Sequence, residues 1–244
     1  ALWPILWQHP VENFKEAFVQ MSKYPQKTGM FYYGEKVSSV DLPWHYVPGN
    51  IAATTPLMYT VLFLVGILYA ARGSIRKPSA KLLTIVGWFF IPLAAVILLK
   101  SVLYDSWRQL FFIYPPFIIL AVYGLKSVGA RRLKQLLTLA LGINMAYVLI
   151  FMVKWHPHQN IYFSTVAGND IEKHWELDYW GLSYKQALEY IEETYPEMET
   201  IKVSAKNFPG ENNVNMLENS EKFVVVGSPG EADFYLTNYR GTAE

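Results

Sequence analysis

Runs free of Asp, Glu, Lys and Arg dominate the middle of this 244-residue chain. Four of them, Ile51–Ala71, Leu82–Leu99, Gln109–Leu125 and Gln135–Val153, hold 21, 18, 17 and 19 residues. A hydrocarbon core of about 30 Å takes roughly 20 helical residues at 1.5 Å each, and Ser, Lys and Trp flanks extend the shorter runs. A buried pair of helical hairpins in a large soluble core is the competing reading. Such helices carry a polar face, and these runs carry none. The pattern predicts four transmembrane helices. Pro56 falls at the start of the first, Pro92 inside the second and the Pro115–Pro116 pair inside the third. Intramembrane prolines free backbone carbonyls and kink helices, which then wall cavities in many bundles.

The flanks follow other periods. Val11–Ser22 places Phe14, Ala17, Phe18 and Met21 at three- and four-residue spacing, which predicts an amphipathic helix lying along a membrane surface. Its neighbours Pro10 and Tyr24-Pro25 bound it. In the tail, Ser183 is placed to cap a helix over Tyr184–Tyr195 that turns Ala187, Leu188 and Ile191 to a core, and Pro196 ends it. Ile201–Ala205, Phe223–Val226 and Asp233–Thr237 read as strands, with Gly227-Ser228-Pro229-Gly230 as a turn. The predicted fold is a mainly α membrane protein, with four transmembrane helices and a small C-terminal α/β extracytoplasmic domain. Its parts are an outer loop over 1–50, a membrane segment over 51–155 and a cap over 156–244.

Charge fixes the orientation. Residues 1–50 carry four acids and four bases, 51–155 one acid and eleven bases, and 156–244 fifteen acids and six bases. The total of +1 therefore hides segments of 0, +10 and −9. Arg72, Arg76, Lys77 and Lys81 crowd the first short loop, and Lys126, Arg131, Arg132 and Lys134 the third, with no acid in either. Such loops stay cytoplasmic, so both flanks lie on the far side of the membrane. Trp44, Tyr46, Tyr104, Trp107 and Trp155 fall where an interfacial aromatic belt needs them. The near-neutral total excludes a strongly basic nucleic-acid binder. With no cysteine, the chain has no disulfide, no Cys-held metal and no thiol nucleophile.

Candidate chemistry is sparse. Arg108 opens the third run in Asp105-Ser106-Trp107-Arg108-Gln109. A planar, permanently charged fork at headgroup depth suits a phosphate; a snorkelling anchor or a partner for Asp105 are the other readings. His156 and His158 stand two apart, without the acid or third ligand that a metal shell needs, and read as interfacial polar groups. Asp178-Tyr179-Trp180-Gly181 reads as a packing plug, with catalysis by Asp178 the lesser alternative. No Ser-His-Asp order, phosphate-cradling glycine loop or HExxH occurs. No cofactor motif is evident.

The order of several short motifs resembles a known family. They are Trp7-x-x-Pro10-x-x-Asn13-Phe14, Leu42-Pro43-Trp44-His45-Tyr46-x-Pro48, Thr54-Thr55-Pro56-Leu57, Trp107-Arg108-Gln109 with Tyr114-Pro115-Pro116, His156-Pro157-His158-Gln159-x-x-Tyr162-Phe163 and Leu177-Asp178-Tyr179-Trp180-Gly181. Together they resemble the C-terminal half of bacterial relatives of the dolichyl-phosphate-mannose–protein mannosyltransferases, membrane glycosyltransferases of the C-type fold. The resemblance implies transfer of a sugar from a polyprenyl-phosphate donor to a protein, lipid or glycan acceptor on the outer face of the bacterial plasma membrane. It places the catalytic base in an N-terminal half upstream of these residues, so this segment alone is expected to be inactive. It assigns Arg108 to the donor phosphate. The family pattern usually has histidine at the position of Gln109, and often tyrosine at that of His158. The competing class is a non-enzymatic membrane protein, a transporter half or structural subunit. Paired intramembrane charges would mark a transporter; the strongly polar midspan residue here is Asn144, a candidate to bond a neighbouring helix.

Overall fold

The computed structural model describes residues 4–22, 27–76, 79–238 and 240. Trp3, Tyr24-Pro25 and Lys77 lie outside the described residues. The chain is mostly helical, and three of its helical segments are long and apolar enough to cross a membrane. It divides into two compact units, residues 1–30 with 37–142 and residues 31–36 with 143–244.

The first unit opens with a 3₁₀ turn, Pro4–Trp7, and α1, Pro10–Ser22. Asn13 ties the two together by donating its amide to the Ile5 and Gln8 carbonyls. Val11, Phe14 and Phe18 are exposed along one side of α1. Next in the chain is a hairpin of β1, Gly29–Tyr32, and β2, Glu35–Ser38, whose residues 31–36 belong to the second unit. Its two-residue tip, Tyr33-Gly34, has φ values of 53° and 82°, as the right-handed twist of a tight hairpin requires.

The first apolar run is not one helix. α2, Tyr46–Thr54, stops before Pro56, and α3, Leu57–Arg76, starts after it. The break follows from proline: Thr55 is held extended at φ −101°, ψ 137°, because a residue preceding proline is pushed out of the helical region. The apolar part of α3, Leu57–Gly73, is shorter than the three membrane-length segments. α4, Ala80–Leu98, continues through Pro92, at the cost of the hydrogen bond that the Trp88 carbonyl would otherwise accept. Gly87 and Pro92 border an open groove with Leu83, Trp88 and Ile91.

The third run corrects the expectation of an internal proline kink. Arg108–Ile113 is a 3₁₀ helix, and α5, Tyr114–Ser127, begins there with its proline pair in the first turn. The missing N–H groups thus fall where a helix has no acceptor for them. At about 2 Å rise per 3₁₀ residue and 1.5 Å per α residue, the combined segment spans roughly 33 Å.

α3 and α5 cross with their backbones touching. A methyl group on Gly66 would overlap the Leu120 carbonyl, and one on Gly124 the Leu62 carbonyl and the Gly66 nitrogen. Small residues at such a crossing admit close backbone approach. Beside it Phe63 stacks on Phe117 at 4.3 Å and meets Phe89 of α4 at 4.8 Å. α6, Arg131–Lys154, differs: none of its side chains is buried.

The second unit contains α7, Ile171–His174; α8, Ser183–Thr194; β3, Ile201–Ala205; α9, Phe208–Val214; β4, Phe223–Val225; and β5, Phe234–Leu236. The sheet order is β4-β3-β5, all parallel, with Val203 facing Val225 on one side and Phe234 on the other. Leu188 and Ile191 of α8 pack on Ile201, Val203 and Phe223. The three strands and α8 fall where the periodicities put them; α9 does not appear in the sequence reading. Its signal was Asn207 before Pro209, an N-cap and first-turn proline, too short to stand out. Trp107 corrects the belt reading, because it is buried. Trp175 is buried as well and donates its indole N–H to the Ala167 carbonyl at 3.0 Å.

Candidate functional site

Arg108 sits on a turn built by distant residues. Asp105 and Ser106 both adopt left-handed φ, 58° and 61°, a conformation that costs non-glycine residues about 1–3 kcal/mol each. The Ser106 N–H donates to the Tyr46 hydroxyl at 3.1 Å, and Ser106 Oγ donates to Asn50 Oδ1 at 3.0 Å. Trp107 Nε1 donates to Thr54 Oγ1 at 3.0 Å, which itself donates to the Asn50 carbonyl at 2.7 Å. Asn50 Nδ2 closes the network on the Tyr46 carbonyl at 2.8 Å. Buried polar groups paired this fully hold one geometry.

On that platform Arg108 Nε lies 3.1 Å from Asp105 Oδ2, with the two side chains 31% and 17% exposed. Its guanidinium carbon lies 4.8 Å from the centre of the Tyr104 ring. Partial burial makes this pair stronger than a surface salt bridge, and the ring adds a cation–π contact. The Asp105 partnership weighed in the sequence is therefore present. Gln109 turns its amide to the Tyr104 carbonyl at 2.9 Å. The sequence reading assigns no role to Tyr46, Asn50, Thr54 or Ser106, although Tyr46 and Thr54 fall in the quoted motifs Leu42–Pro48 and Thr54–Leu57 and Ser106 in Asp105–Gln109. The Leu42–Tyr46 stretch lines a cavity of about 100 Å³, with Ile97 at the end of α4 and Lys100 just beyond it. Lys100 pairs loosely with Asp41 at 3.7 Å, both well exposed.

In the second unit the candidates are engaged in local hydrogen bonds. Asp178 is 6% exposed and caps α8. Oδ1 accepts the Leu182 N–H at 3.0 Å and the Asn160 amide at 3.3 Å; Oδ2 accepts the Ser183 N–H at 2.8 Å and Ser183 Oγ at 2.6 Å. The cap expected from Ser183 is thus supplied by Asp178, with Ser183 as a donor to it. Gly181, at φ 67°, makes the turn that folds Asp178 back. A carboxylate at a helix N-terminus satisfies orphan N–H groups and meets the positive end of the dipole.

His156 and His158 point to different partners. Gln159 Nε2 lies 2.8 Å from His156 Nδ1, and His158 Nε2 lies 2.7 Å from Gln186 Oε1. Among the described residues no three His, Asp or Glu side chains converge as a metal site would need.

In open parallel sheets, ligands favour the crevice where the strand order reverses. Here that point lies beyond the carboxyl ends of β3 and β5, and Asn238 fills it. Its Nδ2 donates to the Asp178 carbonyl at 2.6 Å, and its Oδ1 accepts from Asn207 at 2.7 Å and the Tyr184 hydroxyl at 3.2 Å. Burial pushes the Tyr184 phenol up, with hydrogen bonding to Asn207 and Asn238 opposing, so it stays a neutral donor at physiological pH. Burial, then the neighbouring Tyr33, likewise raises Tyr32. Nearby, the Arg240 guanidinium lies 3.7 Å from the centre of the Tyr179 ring and pairs with Glu176 at 3.7 Å.

Among the described residues, the Arg108 turn fixes a cation at the start of a membrane-length segment. Compared with protein-family models, curated proteins and solved structures, the chain matches none.

Proposed function

We propose that the chain is part of a multi-pass membrane glycosyltransferase that moves a sugar from a polyprenyl-phosphate donor to an acceptor outside the bacterial plasma membrane. In this reading α3 is the fourth span, and the basic loops at 72–81 and 126–134 face the cytoplasm. Residues 1–50 and 156–244 then face outward, with α1 in the headgroup layer. The catalytic base belongs to an upstream half of the same protein.

The observation that carries the reading is Arg108, a permanent cation set on a fixed turn at the start of a membrane-length segment. The motif resemblance, of which Trp107-Arg108-Gln109 is one part, points the same way. A departing polyprenyl phosphate gains negative charge as the glycosidic bond breaks, and a fixed guanidinium offsets that charge. Tyr104 and Asp105 aim the side chain; Asn50, Tyr46 and Ser106 hold the turn beneath it. In the full-length protein, Arg108→Ala is expected to lower turnover with lipid-linked sugar about 100-fold at saturating acceptor. Arg108→Lys, which keeps charge but loses the fork, should fall between. Turnover that Arg108→Ala leaves unchanged would refute the assignment. So would sugar transfer by residues 1–244 alone.

A further inference from the structure

α4 ends in a turn that fixes a charged side chain. The Ser101 N–H donates to the Val96 carbonyl at 3.0 Å and the Lys100 N–H to the Ile97 carbonyl at 3.3 Å, the paired bonds of a Schellman cap. Lys100 takes the left-handed position of that cap, at φ 48°, where glycine is usual because it has no Cβ to strain. A cation there meets the negative end of the helix dipole. What lies beside it gives a second reason for a lysine.

The cap borders the cavity of about 100 Å³ beside Trp44. Val47, Val96, Ile97 and Leu103 give it apolar walls, and Trp44 and Lys100, 71% and 77% exposed, open it to the surface. An apolar cavity of about 150 Å³ accepts benzene, so this one has room for a short stretch of hydrocarbon. Leu98 and Leu99 are exposed immediately before the cap. At the end of a membrane-length helix, a change from exposed leucines to a Lys–Asp pair falls where acyl chains meet headgroups.

The two charges beside the cavity are opposite. Lys100 Nζ lies 3.7 Å from Asp41 Oδ1 with both side chains well exposed, so the pair itself contributes little to the fold. An ammonium has three donors and a carboxylate two acceptor oxygens, so each keeps capacity for a further partner. A ligand that matches both carries an anion and an N–H cation side by side, with hydrocarbon behind them. A phosphoethanolamine lipid has this form, its phosphate and ammonium being two carbons apart.

We infer that the cavity is a site for a phosphatidylethanolamine molecule of the bilayer. Its phosphate meets Lys100, its ammonium meets Asp41, and the start of an acyl chain enters between Val96 and Leu103, with the Trp44 ring at headgroup depth. The inference requires only that α4 cross the membrane, and it is independent of the glycosyl-transfer reading.

Native mass spectrometry of the detergent-purified full chain counts bound lipid directly. Phosphatidylethanolamine, phosphatidylcholine and phosphatidylglycerol with identical acyl chains are titrated in turn. The choline lipid has no N–H for Asp41, and the glycerol lipid has no cation. Phosphatidylethanolamine is expected to bind about tenfold more tightly than either, the effect of one charge-assisted hydrogen bond. Lys100→Gly and Asp41→Asn should each weaken it about tenfold, and Asp41→Asn should erase its advantage over the choline lipid. Lys100→Gly also relieves the left-handed position, so its melting temperature should not fall, which separates lipid binding from capping. Val96→Trp, which fills the cavity, should weaken all three lipids, and O-phosphoethanolamine without acyl chains should not compete. Equal affinity for the three lipids, tighter binding of the glycerol lipid, or undiminished phosphatidylethanolamine binding in either charge variant would overturn the proposal. So would displacement by the free headgroup, or a two-chain complex that excludes lipid and marks a second copy as the occupant.

Discussion

Gly124→Leu is expected to destabilise the first unit by about 3 kcal/mol or more, the upper range for forcing bulk into a packed site. The reason is local. A Cβ on Gly124 meets the Leu62 carbonyl and the Gly66 backbone, neither of which is the movable end of a side chain. The helices must separate, and separation also unstacks Phe63 from Phe117, now 4.3 Å apart, and opens the contacts of buried Leu62 and Leu120. Gly66→Leu should act alike, since its Cβ would strike the Leu120 carbonyl. Gly142→Leu is the control. It lies in a helix too, but a Cβ there meets nothing within 4 Å, so it should be close to neutral. Thermal unfolding of detergent-solubilised protein, followed by size-exclusion fluorescence, reads the difference. Equal melting temperatures for the position 124 and position 142 variants would contradict the crossing.

Asp178→Ala is expected to cost about 2–4 kcal/mol in the second unit. Four donors converge on this carboxylate, two of them backbone N–H groups at the start of α8. Truncation leaves these part-buried donors without their shared acceptor, which costs more than the bonds contributed. α8 supplies Leu188 and Ile191 to the core over β3, so fraying of its first turn loosens the sheet. Asp178→Asn should fall between, because its amide NH₂ group faces donors where an oxygen is needed. Limited proteolysis of the full chain in detergent checks this. Cleavage within 178–236 should accelerate at least tenfold in the alanine variant while the membrane-length segments stay intact. Unchanged protection would show that the cap carries little.

The residues that sequence reading located well are those whose neighbours are close in the chain. Apolar runs, prolines and β-branched clusters act within a few positions, and α4, α6, α8 and the three parallel strands follow from them. Pro56 shows the limit of that reading. A composition window runs straight across it, whereas the backbone ahead of it cannot stay helical, so one apolar run becomes α2 and α3. The Arg108 platform was illegible for a different reason. Ser106 and Trp107 bond Tyr46, Asn50 and Thr54 across 60, 56 and 53 residues, and no local pattern encodes such pairings. Tryptophans divide in the same way. Trp44 is exposed and Trp107 buried, although aromatic character and position beside an apolar run are common to both.

The proposed four-pass topology puts residues 1–50, Arg108 and residues 156–244 on one face of the membrane. Four passes put residues 1–50 and 156–244 on the same side; three passes put them on opposite sides. The absence of cysteine makes the parity measurable with a membrane-impermeant maleimide on intact cells. Exposed positions for single substitutions are Glu35→Cys and Glu197→Cys in the flanks, and Lys81→Cys and Gly129→Cys in the basic loops. The account predicts labelling of Glu35→Cys and Glu197→Cys from outside, with Lys81→Cys and Gly129→Cys labelled only after permeabilisation. Labelling of Glu197→Cys but not Glu35→Cys in intact cells would mean that α3 does not cross, and would contradict it.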